Sequence, residues 1–157
     1  MLKRSIFGLL IISTLGFSSQ IIYSKDDLGV VRKINIAKNP TWVAQITTNK
    51  GKKALFCSPK SMFEFYHRPQ LFEEYEAMSS DDLDEILVTD YNSLKPINGR
   101  NAYYVYGSSK TSPSGDDLVV FEKEMDAKNF ASKYNGKRIF RFSKVSFALI
   151  ELLNGDI

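Results

Sequence analysis

The chain has 157 residues, of which 43% are apolar and 25% are charged, as expected for one globular domain. Its formal net charge of +3 includes Lys3 and Arg4, so the chain without those two residues carries +1, and its other lysines and arginines are scattered. This balance excludes a strongly basic nucleic-acid-binding protein and a highly charged disordered chain.

The first 18 residues have the layout of a secretory signal peptide. Lys3 and Arg4 precede an apolar run over residues 6–17, and small polar residues follow. Cleavage after Ser18 predicts an exported, periplasmic protein. The alternative is an uncleaved membrane anchor, although the apolar run is short for a membrane span. We expect contact with a membrane only if this segment is retained.

The first half of the remaining chain predicts the order strand, strand, helix, strand. Residues 19–39 are charged and turn-prone, and we expect a lead-in segment there. Ser58 and Pro59 are typical of a helix start, as the N-cap and the first helical residue. The predicted elements are strands over residues 42–48 and 54–57, a helix after Ser58 that carries Met62, and a strand over residues 83–89.

The second half repeats this order. The predicted elements are strands over residues 102–107 and 118–122, a helix over residues 124–134 and a strand over residues 137–142. Between the first two lies a polar segment with Pro113 and Gly115, which predicts a loop rather than more strand. We therefore expect an α+β fold with two ββαβ units in one pseudo-twofold domain over residues 40–145. Residues 146–157 form an apolar tail, predicted as a short helix or strand.

Few residues could carry chemistry. The chain has one cysteine, Cys57, and one histidine, His67, and it lacks the spacings of zinc sites, serine hydrolases and phosphate-binding loops. The adjacent Asp116 and Asp117 are typical of a solvated turn, and we do not expect an enzyme. Monovalent copper favours thiolate and thioether ligands. Cys57, Met62 and His67 are therefore candidate ligands, although Cys and Met are also ordinary core residues.

The order and spacing of several short pieces resemble the NosL family, whose members are accessory proteins that deliver copper to nitrous oxide reductase. The resemblance extends over residues 36–142. The matching pieces lie at residues 37–40, 42–46, 59–60, 62–63, 88–91, 94–97, 102–105, 107–108, 113, 115, 118, 136–137 and 141–142. The resemblance implies two ββαβ units per chain, in agreement with the pattern above.

The resemblance also implies where copper ligands would lie. A methionine is usual in the family where Ser114 stands, and a histidine where Asp116 stands, so this binding loop has lost its soft donors. The family's stretch near the mature amino terminus supplies cysteine and methionine, whereas residues 31–36 here contain neither. We expect weak Cu(I) binding or none, with a copper-requiring reductase or its assembly factors as protein partners. The alternative is a metal-free periplasmic module that binds a protein.

Overall fold

The computed structural model describes residues 19–157. The predicted signal peptide, residues 1–18, lies outside the described residues. The helices and strands are β1 (Ala44–Thr48), β2 (Lys53–Phe56), α1 (Pro59–His67), β3 (Leu83–Thr89), β4 (Pro96–Asn98), β5 (Tyr103–Ser112), β6 (Gly115–Phe121), α2 (Glu124–Lys133), β7 (Arg138–Arg141) and α3 (Phe147–Asn154). Within residues 19–157, no helix is both long enough and apolar enough to cross a membrane.

The two halves share one topology, and the predicted α+β fold is confirmed. All strand pairs are antiparallel, in the orders β2-β1-β3-β4 and β6-β5-β7. In each half a hairpin is followed by a helix and by a strand that pairs with the first strand of the hairpin. Helix α1 packs on β1 and β2, and α2 packs on β5 and β6. Each hairpin is therefore covered by the helix that follows it.

Apolar side chains join the two sheets in one main core. Phe56 of β2, Phe63 of α1 and Tyr104 of β5 are all fully buried in the same cluster. The buried phenol of Tyr104 donates a hydrogen bond to the Gly99 carbonyl, 2.7 Å away. A second cluster lies on the opposite face of the second sheet, between β5, β6 and α2. The sequence pattern predicts eight mostly buried residues: Trp42, Phe56, Phe63, Ile86, Tyr104, Val119, Phe130 and Phe140. Six of them are buried, whereas Trp42 and Phe140 are half-buried.

The segment predicted as a long loop between β5 and β6 is mostly strand, which corrects that expectation. Strand β5 continues to Ser112, β6 begins at Gly115, and only Pro113 and Ser114 lie between them. The strand register shifts between Tyr106 and Thr111. Gly107 has a φ of +74°, a conformation that favours glycine, and the Lys137 side chain occupies the space where a Cβ would lie. This bulge lets the strands continue through a polar sequence.

The ends of the chain pack on the domain. The apolar tail is helix α3, capped by the Ser146 hydroxyl, and its Ile150 side chain is fully buried in the main core. In the lead-in, Ile36 is fully buried and Val30 donates a backbone hydrogen bond of 2.8 Å to the Leu55 carbonyl of β2. The lead-in therefore lies along one edge of the first sheet.

Candidate functional site

Cys57 lies at the end of β2, where the chain turns into α1. Its side chain is only 1% exposed. The next residue, Ser58, caps the helix by accepting a hydrogen bond from the Ser61 amide at 3.3 Å, as the sequence predicts. Because this cap places Ser61 one turn above Cys57, the Ser61 Oγ lies 3.9 Å from the Cys57 Sγ. The start of α1 thus presents a thiol and two hydroxyl groups to the same space.

The turn between β5 and β6 places Ser114 against this thiol. The Ser114 Oγ lies 3.3 Å from the Cys57 Sγ, 3.3 Å from the Ser58 Oγ and 3.4 Å from the Ser61 Oγ. We call Cys57, Ser58, Ser61 and Ser114 the thiol–hydroxyl cluster. The sequence suggested Cys57 and Ser114 as candidate residues for separate reasons, and the structure brings them together.

Lys60 and Asp117 attach the β5–β6 turn to α1. The Lys60 ammonium, in a side chain only 2% exposed, donates to the Ser114 carbonyl at 2.8 Å and to the Leu153 carbonyl of α3 at 3.2 Å. The Asp117 carboxylate accepts from the Lys60 amide at 2.7 Å, from the Ser112 hydroxyl at 2.6 Å and from the Leu118 amide at 2.8 Å. These bonds fix the distance between Ser114 and Cys57.

Burial dominates the electrostatics of this attachment. It lowers the pKa of the Lys60 ammonium, and the nearby Asp117 carboxylate opposes that change. Burial raises the pKa of the Asp117 carboxyl, while the hydrogen bond from Ser112 and its other hydrogen bonds oppose that change. Asp117 is 2% exposed, so the expectation of two solvated turn aspartates is wrong for Asp117, whereas Asp116 is exposed. Successive residues of a strand point to opposite faces of the sheet. Recognising this segment as a strand would therefore have predicted that Asp116 and Asp117 differ in burial.

The lead-in covers the other side of Cys57. The side chains of Ile36, Val43 and Cys57 form a small buried cluster, with Ile34 packed against it. A Cβ on Gly29 would lie 3.1 Å from the Cys57 amide nitrogen and 3.6 Å from its Sγ. The stretch of residues 31–36, which the resemblance aligns with the family's cysteine-bearing segment, therefore lies beside Cys57.

Met62 and His67, the other two candidate ligands, lie elsewhere on α1. Met62 is fully buried in the main core, whereas Cys57 belongs to the small cluster under the lead-in. Cys57 precedes α1 and His67 is its last residue; at about 1.5 Å per residue, the helix separates them by about 12 Å. The structure therefore does not bring His67 to the thiol, and within residues 19–157 no three His, Cys, Asp or Glu side chains form a metal-binding group.

His67 has a structural environment of its own. Its ring stacks on Phe63 at 6.1 Å between centroids, and its Nε2 lies 3.0 Å from the Val145 carbonyl oxygen. Because a carbonyl only accepts, Nε2 carries the proton and donates. Burial lowers the pKa of His67, and the bond to Val145 opposes that change. His67 is half-buried, and its hydrogen bond to Val145 connects the end of α1 to the turn that precedes α3.

Comparisons with known proteins agree with the resemblance. A model of the NosL family matches residues 20–150. Among solved structures, the chain is similar to the crystal structure of the copper chaperone NosL from Shewanella denitrificans, with 26% sequence identity and a TM-score of 0.69. That match covers 83% of this chain and 98% of the other. No curated protein matches the sequence.

Proposed function

Because the chain belongs to the NosL family, we propose that it is an accessory protein for copper delivery whose own copper(I) site is weakened. A NosL-family chain is not an enzyme. We further propose that the protein is exported to the periplasm and serves the maturation of nitrous oxide reductase, the role that the family resemblance implies. The apolar run behind Lys3 and Arg4 supports the location.

One observation carries the proposal. The Cys57 thiol lies between the two segments in which the family resemblance places soft copper ligands. The Ser114 hydroxyl, at the usual methionine position, is 3.3 Å from the Cys57 Sγ. The lead-in, which replaces the family's cysteine-bearing stretch, packs on the other side. Cys57 thus supplies a thiol at the place where the family's ligands would converge.

The chemistry of the cluster predicts weak binding. A thiolate is a strong donor to copper(I), whereas serine hydroxyls are hard donors that suit other ions. With one soft donor and three hydroxyls, the cluster offers copper(I) fewer favourable contacts than a site of cysteine and methionine. The thiol is also covered by the lead-in, so copper has to displace part of that cover to reach the sulfur.

The proposal is tested by titrating the purified protein with copper(I) in competition with a chromophoric chelator. We expect weak binding by the wild type and none by Cys57→Ala. Ser114→Met should strengthen binding by about tenfold or more, because it places a thioether beside the thiol. Ser132→Met, on the exposed face of α2, is the matched control and should behave like the wild type.

The titration also has outcomes that contradict the proposal. Tight one-to-one binding that survives Cys57→Ala would place the copper site elsewhere, for example at Met62 or His67. An unchanged affinity in Ser114→Met would show that positions 57 and 114 do not share a metal ion.

The proposed export has its own test. Recovery of a protein with an intact Met1 from the cytosol would refute it.

A second candidate function is a metal-free module that binds a protein partner. It is favoured by the completeness of the hydrogen bonding: within residues 19–157, every buried side-chain nitrogen and oxygen has a partner without any added ion. Ser114 in particular satisfies its hydroxyl with Ser58, Ser61 and Cys57. Absence of copper binding by both the wild type and Ser114→Met would favour this function.

A further inference from the structure

Strand β7 forms an exposed edge of the second sheet. In the order β6-β5-β7, it pairs only with β5, with Arg138 opposite Tyr106 and Arg141 opposite Tyr103. The opposite edge is different, because the Tyr91 amide donates to the Val120 carbonyl of β6 at 2.9 Å. An edge strand presents alternate N–H and C=O groups that a further strand can pair with. Within the described part of the chain, no segment pairs with the outer edge of β7.

An open groove runs between β7 and α3, which we call the β7–α3 groove. Its lining includes the half-buried Tyr106, Phe140 and Leu149, and Leu152, which is 48% exposed. This part of the groove has a volume of about 330 Å³. A second pocket of about 390 Å³ shares Tyr106 and Leu152 with it and continues to Asp116 and Asp117.

Strand β7 and the residues that flank it carry a strong local positive charge. Residues 137–144 contain the four exposed cations Lys137, Arg138, Arg141 and Lys144 and no acidic residue. Within residues 19–157, none of these four has a carboxylate within 4 Å, because the three ion pairs of the structure involve other residues. Arg138 lies on the groove side of β7, and Arg141 lies on the opposite side, 4.1 Å over the Tyr103 ring, so a partner strand can meet a cation on either side.

The unpaired strand edge, the apolar lining and the positive charge together indicate what kind of molecule fits the groove. A second copy of this chain would oppose its own arginines to Arg138 and Arg141, and like charges directly opposite each other are unfavourable. An apolar ligand alone would leave the cations unused. An extended acidic segment satisfies the backbone edge, the apolar groove and the charges together, as in strand addition to a sheet edge.

We propose that β7 and the β7–α3 groove form a docking site for an extended segment of a partner protein, in which acidic residues alternate with apolar residues. The segment adds a strand beside β7. Its apolar side chains lie on the groove side, against Phe140 and Leu152, and its carboxylates lie on the opposite side of the strand, beside Arg141. This docking site goes beyond copper handling and does not require a bound metal.

The test is fluorescence anisotropy with a short fluorescein-labelled peptide of alternating glutamate and valine, in metal-free buffer. We expect saturable binding that weakens as salt screens the charges. Arg138→Glu with Arg141→Glu should weaken it by about tenfold or more. Lys50→Glu with Lys53→Glu makes the same change of charge at two exposed positions, in the β1–β2 turn and at the start of β2. It should change the affinity by less than about twofold.

Further measurements separate the contribution of the two arginine charges to peptide binding from the contribution of strand pairing. The milder pair Arg138→Gln and Arg141→Gln should still weaken binding if the glutamate pair proves unstable. A peptide with a central proline should bind much more weakly, because proline cannot complete a strand ladder. Equal binding of the proline peptide, or equal affinity of the two charge-reversed variants, would overturn the proposal. The proposal would also be overturned if the peptide did not bind and the protein instead bound phosphatidylglycerol vesicles through the two arginines. That result would make this surface a membrane contact.

Discussion

At the scale of single residues, Asp117 is the main connection between the β5–β6 turn and α1. Its carboxylate accepts hydrogen bonds from the Lys60 and Leu118 amides and from the Ser112 hydroxyl. The neighbouring Asp116 is exposed and takes no part in these bonds. Two adjacent aspartates thus differ in role because the strand directs one inward and the other outward.

The first prediction compares these two aspartates. Asp117→Ala leaves buried donors without an acceptor, so the free energy of unfolding should fall by about 2–4 kcal/mol. Asp116→Ala, the matched control, should change it by less than about 0.5 kcal/mol. Urea unfolding followed by circular dichroism measures both changes. Similar values for the two variants would show that the hydrogen bonds of Asp117 contribute little.

The second prediction concerns pH and His67. Its folded-state pKa lies below the unfolded value of 6.5, so the unfolded chain binds more protons in the window between the two. The stability that neutral His67 provides is therefore present above pH 6.5 and is lost as the pH falls through that window. His67→Gln removes this loss, so the difference in unfolding free energy between wild type and variant should shrink on acidification. Urea titrations at several pH values test it, and a constant difference would contradict it.

At the scale of elements, local chemistry predicted the helices and the simple strands from the sequence. Ser58 and Pro59 indicated the start of α1, and the apolar run of residues 83–89 coincides with β3. Segments whose structure depends on distant contacts were not predictable in this way. The β5–β6 extension requires the Gly107 bulge against Lys137. Helix α2 ends at Lys133, and the left-handed residue that follows it is Asn135, with a φ of 58°, rather than a glycine.

The residues of the candidate site likewise fall into those that the sequence indicated and those that it did not. The sequence indicated Cys57 as the soft donor and Ser114 through the family resemblance, but Lys60, Ser61 and Asp117 were missed. Their roles depend on contacts with residues more than 50 positions away, which no local pattern encodes. Met62 was predicted as a core residue or a ligand, and the structure places it in the core.

The lead-in carries the third prediction, because Ile36 packs it over Cys57. Ile36→Ala should lower the stability by about 2–4 kcal/mol and loosen this segment locally. Reaction of Cys57 with a thiol reagent should then be accelerated by about tenfold or more relative to the wild type. The control is Ile86→Ala, an equally buried isoleucine of β3 in the main core. Equal acceleration in both variants would mean that the thiol reacts through global unfolding.

At the scale of the whole molecule, the two similar halves do not have separate cores. The main cluster contains Phe56 and Phe63 from the first half with Tyr104 and Leu118 from the second. Trp42 belongs to the first half, yet it packs in the cluster of α2 and meets the ring of Tyr91 edge-on, with 6.3 Å between centroids. The Asp90 carboxylate also accepts a hydrogen bond from the Glu122 amide at 2.8 Å.

The fourth prediction follows from these shared contacts. Unfolding in urea should occur in a single transition, with the same midpoint for Trp42 fluorescence and for far-ultraviolet circular dichroism. Trp42 is the only tryptophan, so its fluorescence reports the boundary between the halves. A fluorescence change at a lower urea concentration than the loss of secondary structure would show that the halves separate before they unfold.

The two hydrogen bonds of the Lys60 ammonium also set an order of events during synthesis. One acceptor, Ser114, follows Lys60 by 54 positions, and the other, Leu153, follows it by 93. The ribosome must therefore release nearly the entire chain before this ammonium meets both acceptors, although the thiol emerges near the midpoint of translation. Until then Cys57 lies in a nascent chain that lacks Ser114 and α3. A reactive copper ion or an oxidant would therefore meet the Cys57 thiol most readily in that interval, before Ser114 lies against it.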